Sequence, residues 1–158
     1  MLDNIYHTVI FFYKILFKPL SRPAGLRLPY GGKKMSGARF LKARKALGKT
    51  QKEMAVLLGV SMRAVHSYEQ GWRKVPSHVE RQVYFLLSQK SDAFRQLGPC
   101  WEIRGCDLKT RSQCPAWEFD AGKLCWLING TFCEGAEQQD WEQKMKICRK
   151  CPVLKAFL

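Results

Sequence analysis

This 158-residue sequence has few histidines, and its first 99 residues contain no cysteine. All three histidines, His7, His66 and His78, precede residue 99, and no cysteine occurs before residue 100. A metal centre in the last third of the chain would therefore be all-sulfur, which excludes hard cations such as Mg²⁺. The sequence also lacks a nucleophile–base pair, a phosphate-binding loop or paired carboxylates of convincing spacing, so we do not expect an enzyme.

Long hydrophobic runs and a signal peptide are missing as well. The apolar run near the N-terminus is interrupted by Lys14 and is too short to span a bilayer. Asp3 stands where a signal peptide carries positive charge, and no small-residue cleavage site follows. The seven cysteines are an odd number, so a secreted disulfide framework would leave a thiol unpaired. We expect a cytoplasmic protein whose thiols are reduced or metal-bound.

Residues 1–34 differ from the rest of the chain. GGKK would be encoded by a purine-rich run just before the codon of Met35, as a translated ribosome-binding site would be. We therefore predict that Met35 is the true start and that 1–34 is a misannotated extension. The alternative is a short helix on a membrane surface, with Lys14 and Lys18 at the interface. Only in that case do we expect membrane contact.

Negative charge is scarce too, and the resulting net charge of +14 is unevenly distributed. Residues 35–98 have twelve Lys and Arg against four acids, or +8, whereas residues 99–158 have nine against eight, or +1. Clustered basic residues bind phosphates with release of counterions, so a polyanion is a candidate partner of the middle block. A basic surface that only faces solvent would have the same charge.

Residues 35–90 have the pattern of a small helical domain. The predicted helices cover residues 38–47, 51–58, 62–70 and 76–90. Thr50 and Glu53 form a T-x-x-E capping box before the second helix, and Ser61 caps the third. Gly59 lies in the tight turn between these two helices. This order of elements predicts a helix-turn-helix.

The segment TQKEMAVLLGVSMRAVHSYEQGWRKVP resembles the DNA-binding domain of the Cro and phage-repressor family, over residues 38–88. The matching positions are Gln51, Ala55, Gly59-Val60-Ser61, Val65, Tyr68, Glu69-x-Gly71, Arg73 and Pro76. The resemblance implies a third helix that enters the major groove of double-stranded DNA, in a homodimer. The alternative is a helical domain that contacts protein.

The resemblance also implies which residues contact DNA. Base contacts would come from Met62, Arg63 and Ser67, with His66 beside them. Arg63 is the main candidate because a guanidinium pairs bidentately with guanine, although it would otherwise be a solvated surface charge. The phosphate contacts would come from Gln51, Lys52, Arg73 and Lys74. Ser61, at the start of the third helix, completes the set.

The cysteines are spaced C-x5-C-x7-C-x10-C-x7-C-x14-C-x2-C, at Cys100, Cys106, Cys114, Cys125, Cys133, Cys148 and Cys151. A metal needs about four thiolates, so a subset of the seven would ligate each centre. Cys-Pro steps at 114 and 151 favour an iron–sulfur cluster, whereas the missing C-x2-C-x2-C run disfavours it. The balance is slightly toward iron–sulfur, with zinc close behind. A thiol–disulfide sensor is the third option.

Aromatic and basic residues accompany these cysteines. The aromatic residues either wall the site from water or form a small core: Trp101, Trp117, Trp126, Phe132 and Trp141. Four cations surround Cys148 in sequence and predict a lowered thiol pKa there, unless they form a solvated basic face: Lys144, Lys146, Arg149 and Lys150.

Residues 99–154 resemble the bacterial two-CW domain. The matching residues are Cys100-Trp101-Glu102, Cys106, Cys114-Pro115-Ala116, Cys125-Trp126, Gly130-Thr131-x-Cys133 and Cys148-x2-Cys151. The spacing between Cys106 and Cys114 is shorter than in that domain, and a glycine-rich loop before Cys125 is missing. The resemblance implies a sensing or structural role.

Taken together, we predict a mainly α protein in three parts after Met35. A four-to-five-helix DNA-binding domain covers 35–90, a linker 91–99, and a small, irregular, cysteine-rich domain 100–154. The predicted function is transcriptional regulation, with the cysteine-rich domain as a metal or redox sensor. The alternative is constitutive DNA binding, with the cysteine-rich domain as a structural metal knob that docks to a protein.

Overall fold

The structure, a computed structural model, describes residues 34–158. The predictions for the extension before residue 34 lie outside the described residues. Met35, the predicted start, has a buried side chain in the core.

Four helices form the first half of the described chain: α1 (Gly37–Ala46), α2 (Gln51–Leu58), α3 (Met62–Glu69) and α4 (Ser77–Lys90). Their bounds agree with the predicted ones to within one residue. Helices α2 and α3 pack against each other on either side of Gly59, which has a left-handed φ of 63°. Glycine adopts this conformation without steric strain, so the tight turn is possible here. The predicted helix-turn-helix is confirmed.

The helix starts are determined by local hydrogen bonds. The amide of Thr50 donates to Glu53 Oε2 at 2.8 Å, and the amide of Glu53 donates to Thr50 Oγ1 at 3.2 Å. Ser61 Oγ accepts from the amide of Ala64 at 3.1 Å. Both caps satisfy amides that the first helical turn leaves without a partner, as the sequence pattern predicted.

The core of this half is built from the apolar faces of all four helices, α1 to α4. The rings of Phe40 and Tyr68 meet edge to face, with centroids 5.6 Å apart. Gly37 lies so close to the end of α3 that a Cβ atom there would be 2.5 Å from the carbonyl oxygen of Tyr68. The helices therefore approach each other at a point where only glycine fits.

Short elements form the second half. They are α5 (Asp92–Gln96), α6 (Cys100–Ile103), α7 (Leu108–Ser112), α8 (Pro115–Glu118), a 3₁₀ turn (Cys125–Leu127), β1 (Thr131–Cys133), β2 (Ala136–Gln138), α9 (Trp141–Cys148) and α10 (Pro152–Lys155). The two strands pair antiparallel, with Thr131 opposite Gln138. The mainly helical fold, with an irregular cysteine-rich part, agrees with the prediction.

The two halves share buried surface. Helix α5 lies within residues 91–99, and its Phe94 packs on Phe157, with ring centroids 5.2 Å apart. Tyr84 of α4 lies between Trp126 and Trp141, at centroid distances of 6.2 and 6.4 Å. Among residues 34–158, no helix is both long and apolar enough to cross a membrane.

Candidate nucleic-acid interface and cysteine-lined cavity

Helix α3 has one buried face and one free face. Val65 and Tyr68 are buried against the other helices. Met62 is 57% exposed at the start of the helix, and Arg63 beside it is exposed. Recognition helices contact bases with the side chains near their N-terminus, and these two predicted base-reading residues are exposed at that end of α3.

The other predicted base-reading residues have partners within the protein. Ser67 Oγ donates to the carbonyl oxygen of Arg63 at 2.8 Å, and Ser61 serves as the helix cap. The ring of His66 meets the ring of Trp72 edge to face, with centroids 5.3 Å apart. Among the predicted base-reading residues, Met62 and Arg63 are thus the two whose side chains are exposed at the start of α3.

Gln51, predicted to contact phosphate, has its side-chain amide engaged in the fold. Its Nε2 donates to Glu69 Oε2 at 2.7 Å. Arg44 also pairs with Glu69, through Nε and through Nη2, the latter at 3.2 Å, and Arg44 Nη1 donates to the carbonyl oxygen of Lys49 at 2.7 Å. These contacts tie α1, α2 and α3 together.

The environment of Glu69 changes the pKa of its carboxyl. Burial alone would raise this pKa, but the hydrogen bonds from Arg44 and Gln51 outweigh burial and hold the pKa below its ordinary value. The Glu69 carboxylate is therefore charged in the folded protein at neutral pH.

The remaining phosphate candidates, Lys52, Arg73 and Lys74, are exposed, and the guanidinium of Arg73 lies over the ring of Tyr68 at 5.8 Å from its centroid. Sequence reasoning missed Trp72, which is 75% exposed directly after α3. The available signal was a large aromatic residue in a polar turn, immediately before two basic residues. It adds an apolar surface beside His66.

All seven cysteines line one cavity of about 250 Å³ in the second half of the chain. They come from separate short elements and the turns between them: Cys100 from α6, Cys125 from the 3₁₀ turn, Cys133 from β1, Cys148 from α9, and Cys106, Cys114 and Cys151 from turns. The sequence predicted that a subset of about four would come together. The fold brings all of them to the same cavity wall.

The thiols surround the cavity without meeting at a point. Within residues 34–158, no three Cys, His, Asp or Glu side chains are close enough together to hold a metal ion as they stand. A tetrahedral zinc site requires sulfur atoms about 3.8 Å apart, given its metal–sulfur distance. The cavity is many times larger than the roughly 15 Å³ that one water molecule needs.

Lys144 is the buried cation of this cavity. Its side chain lines the cavity, the residue is 1% exposed, and its Nζ donates to Thr131 Oγ1. Thr131 Oγ1 also accepts from Cys133 Sγ at 3.9 Å. Helix α9 and strand β1 therefore hold an ammonium group among thiols.

The thiols differ in their proton affinity. A hydrogen bond from Cys125 lowers the pKa of Cys100, and the same hydrogen bond, together with burial, raises the pKa of Cys125. Burial raises the pKa of Cys133 and also of Cys106. Cys100 and Cys125 are thus neighbouring thiols whose pKa values are shifted in opposite directions.

The expectation of a lowered pKa at Cys148 is wrong. Burial raises the pKa of this thiol to about 12, and the opposing charge of Lys144 is the smaller effect. Lys146 and Lys150 are exposed to solvent, and Arg149 pairs with a buried carboxylate elsewhere. Sequence proximity therefore overestimated the positive charge that faces Cys148.

The aromatic residues divide between two roles. Trp101 and Trp117 line the cavity and meet edge to face at 4.8 Å between centroids, and Phe132 lines it as well. Trp126 and Trp141 are buried and pack on Tyr84. The three cavity-lining aromatic residues lie beside the thiols, whereas the two buried tryptophans belong to the core shared with α4.

A buried polar cluster joins α4 to α9, and the sequence patterns did not indicate it. Glu80 Oε1 accepts from Arg149 Nη2 at 2.9 Å and from the Tyr84 hydroxyl at 2.7 Å, and Glu80 Oε2 accepts from Trp141 Nε1 at 3.0 Å. Glu80 and Arg149 are 3% and 5% exposed. The partners are 61 and 69 residues apart in sequence, so only the fold reveals their contact.

Comparison with known proteins supports the first half of this description. Residues 41–77 match the helix-turn-helix family, of the Cro/C1 type. The match supports a DNA-binding regulatory role for this part of the chain. Searches of curated proteins and of solved structures found no significant match. The resemblance of residues 99–154 to the two-CW domain stays a prediction.

Proposed function

We propose that the protein is a sequence-specific transcriptional regulator whose cysteine-lined cavity binds an iron–sulfur cluster and thereby adjusts DNA affinity. The helix-turn-helix match supports the first part of this proposal. The convergence of all seven cysteines on one cavity supports the second. We further propose that it acts in the cytoplasm, as a homodimer on double-stranded DNA.

The DNA-binding part rests on the free face at the start of α3. Arg63 is exposed there, and a guanidinium can pair bidentately with a guanine, while the exposed Lys52, Arg73 and Lys74 are available to phosphates. Met62 offers only apolar contact, which suits a thymine methyl group.

A selection experiment with random duplexes tests this part. We expect the wild-type chain to enrich one sequence class, with affinity that falls steeply as salt rises. Arg63→Ala should weaken that binding by about 1–3 kcal/mol and relax specificity at one base pair. His78→Ala, at an exposed position on α4, is the matched control and should bind like wild type. Equal binding by Arg63→Ala and wild type would contradict the assigned role.

The choice of cofactor rests on the donor set and on the size of the cavity. Thiols alone suit zinc or iron–sulfur and exclude hard cations. The separated thiols and the cavity volume favour a polyatomic cluster over one tetrahedral zinc. When bound, such a group would supply a redox-sensitive cross-link between the short elements that carry the cysteines.

Helix α9 provides the route from the cavity to the DNA-binding half. Its Lys144 and Cys148 line the cavity, while Trp141 at its start and Arg149 at its end contact Glu80 on α4. A change in the cavity walls that moves α9 would therefore move a buried contact of α4. Helix α4 in turn packs against α1 and α2. The cofactor can change DNA affinity only by as much as its own affinity differs between the two arrangements of the protein.

The rival function is constitutive DNA binding, with the cysteine-rich half as a structural metal domain that docks to a protein partner. Anaerobic purification of the protein, followed by a visible absorption spectrum and metal analysis, tests the cofactor. A brown protein supports a cluster, and a colourless zinc protein contradicts it. Operator affinity is then measured with and without the cofactor, and in oxidised and reduced protein. A difference in affinity supports a sensing role of the cysteine-rich half over a purely structural one. Equal affinities would contradict the sensor function.

A further inference from the structure

The cavity contains a buried positive charge without a carboxylate partner. Lys144 is 1% exposed, and it forms no ion pair with any carboxylate of residues 34–158. The carboxylate that lines the cavity, Glu134, is exposed and pairs with Arg104 at 3.8 Å between Oε1 and Nη2. The hydroxyl of Thr131 accepts a hydrogen bond from Lys144 but has no charge to offset it.

A buried ammonium group is costly unless a negative charge lies nearby. The groups in this cavity that can acquire such a charge are its thiols. Four thiolates contribute a charge of about −4, of which a divalent metal or a cluster core neutralises only part, so that the complex remains anionic.

We propose that Lys144 is the buried charge-compensating residue of an anionic metal–thiolate group in this cavity, which the more exposed Arg104 and Arg111 also line. This inference rests on the proposed function, because it requires that the cavity binds metal. Lys144 Nζ donates to Thr131 Oγ1, and both residues line the cavity. Lys144 lies on α9 one turn before Cys148, so both side chains are on the same face of that helix.

The inference predicts effects of opposite sign in the two states of the protein. Without metal, replacing Lys144 with methionine removes an uncompensated buried charge and retains an apolar side chain of similar length, so the fold should keep its stability or gain some. With metal, the same change removes the counter-charge and should weaken binding. A lysine that merely fills space or anchors Thr131 would give loss of stability in both states.

The experiment uses the full chain as wild type, Lys144→Met and Lys146→Met. Lys146 is exposed on the same helix and is the matched control. Each chain is reconstituted anaerobically with iron and sulfide, and in parallel with zinc, and titrated with a competing chelator. We expect Lys144→Met to bind the metal at least about tenfold more weakly than wild type, with a more negative reduction potential of any cluster. Lys146→Met should behave like wild type. The metal-free melting temperature of Lys144→Met should be equal to or above that of wild type.

Two results would overturn this inference alone: equal metal affinity in wild type and Lys144→Met, or a metal-free Lys144→Met that is clearly less stable than wild type or does not fold. A wild-type chain that takes up neither iron nor zinc would overturn the proposed cofactor and this inference together. The two failures are therefore distinguishable.

Discussion

Replacing Glu80 with glutamine tests whether the buried polar cluster holds the two halves of the protein together. The change keeps the size of the side chain and one oxygen acceptor but removes the charge opposite Arg149. Both residues are nearly inaccessible, at 3% and 5% exposure, and their atoms are 2.9 Å apart. Removing one partner of such a pair leaves a buried charge uncompensated, which destabilises proteins by about 3–5 kcal/mol.

We expect a loss of about 3 kcal/mol for Glu80→Gln, at the lower end of that range because the amide oxygen can still accept from Trp141. In a chain of this size the melting temperature should fall by roughly 10 °C. Urea denaturation followed by circular dichroism measures the free energy directly. Glu142→Gln is the matched control, since Glu142 pairs with Lys34 at the surface, where the side chains are 61% and 62% exposed. Glu142→Gln should lower the free energy of unfolding by less than about 1 kcal/mol.

The double variant Glu80→Gln, Arg149→Met completes the test. It removes both charges, and Arg149 Nε is already buried without a hydrogen-bond partner, so methionine should be tolerated. We expect the double variant to be more stable than Glu80→Gln alone. A Glu80→Gln protein within about 1 kcal/mol of wild type, or a double variant that is less stable than the single one, would refute the reasoning.

Two further predictions concern the helical half. Gly37→Ala should destabilise the fold by about 2 kcal/mol or more, because its Cβ would be 2.5 Å from the carbonyl oxygen of Tyr68. Gly98→Ala, with its nearest neighbour at 3.4 Å, should be close to neutral in the same urea experiment. Glu69→Gln should be less stable than wild type at pH 7. Because the folded pKa of Glu69 lies below its ordinary value, its contribution is present above about pH 4.3 and is lost as the pH falls through the folded pKa. Melting temperatures of the two proteins should therefore converge in acid, and a gap that persists at pH 2 would contradict the role of the Arg44 pair.

The helical half was largely predictable because its signals are local. Thr50 and Glu53 lie three residues apart and satisfy each other's amides, and Gly59 supplies the left-handed turn. What the pattern did not reveal is that Gln51 would bond to Glu69, since that contact joins residues 18 positions apart. A side chain that is predicted to contact DNA can also make a contact within the fold, and only its neighbours in space show this.

The cysteine-rich half was predictable in composition but not in geometry. The clustering of thiols in one segment without histidine indicated an all-sulfur site. The expected pKa of Cys148 was wrong because sequence spacing counts all nearby cations equally. In the structure, Lys144 faces the cavity while Arg149 faces Glu80, and burial has the larger effect.

The sequence by itself determined the helix starts, the tight turn, the uneven charge and the kind of donor atoms available, because each depends on residues that are neighbours along the chain. Tertiary structure alone decided that every thiol faces one cavity, that Lys144 is enclosed with them, and that Glu80 receives Trp141 and Arg149. These contacts join distant segments, and their electrostatics depend on burial, which exists only once the chain has folded.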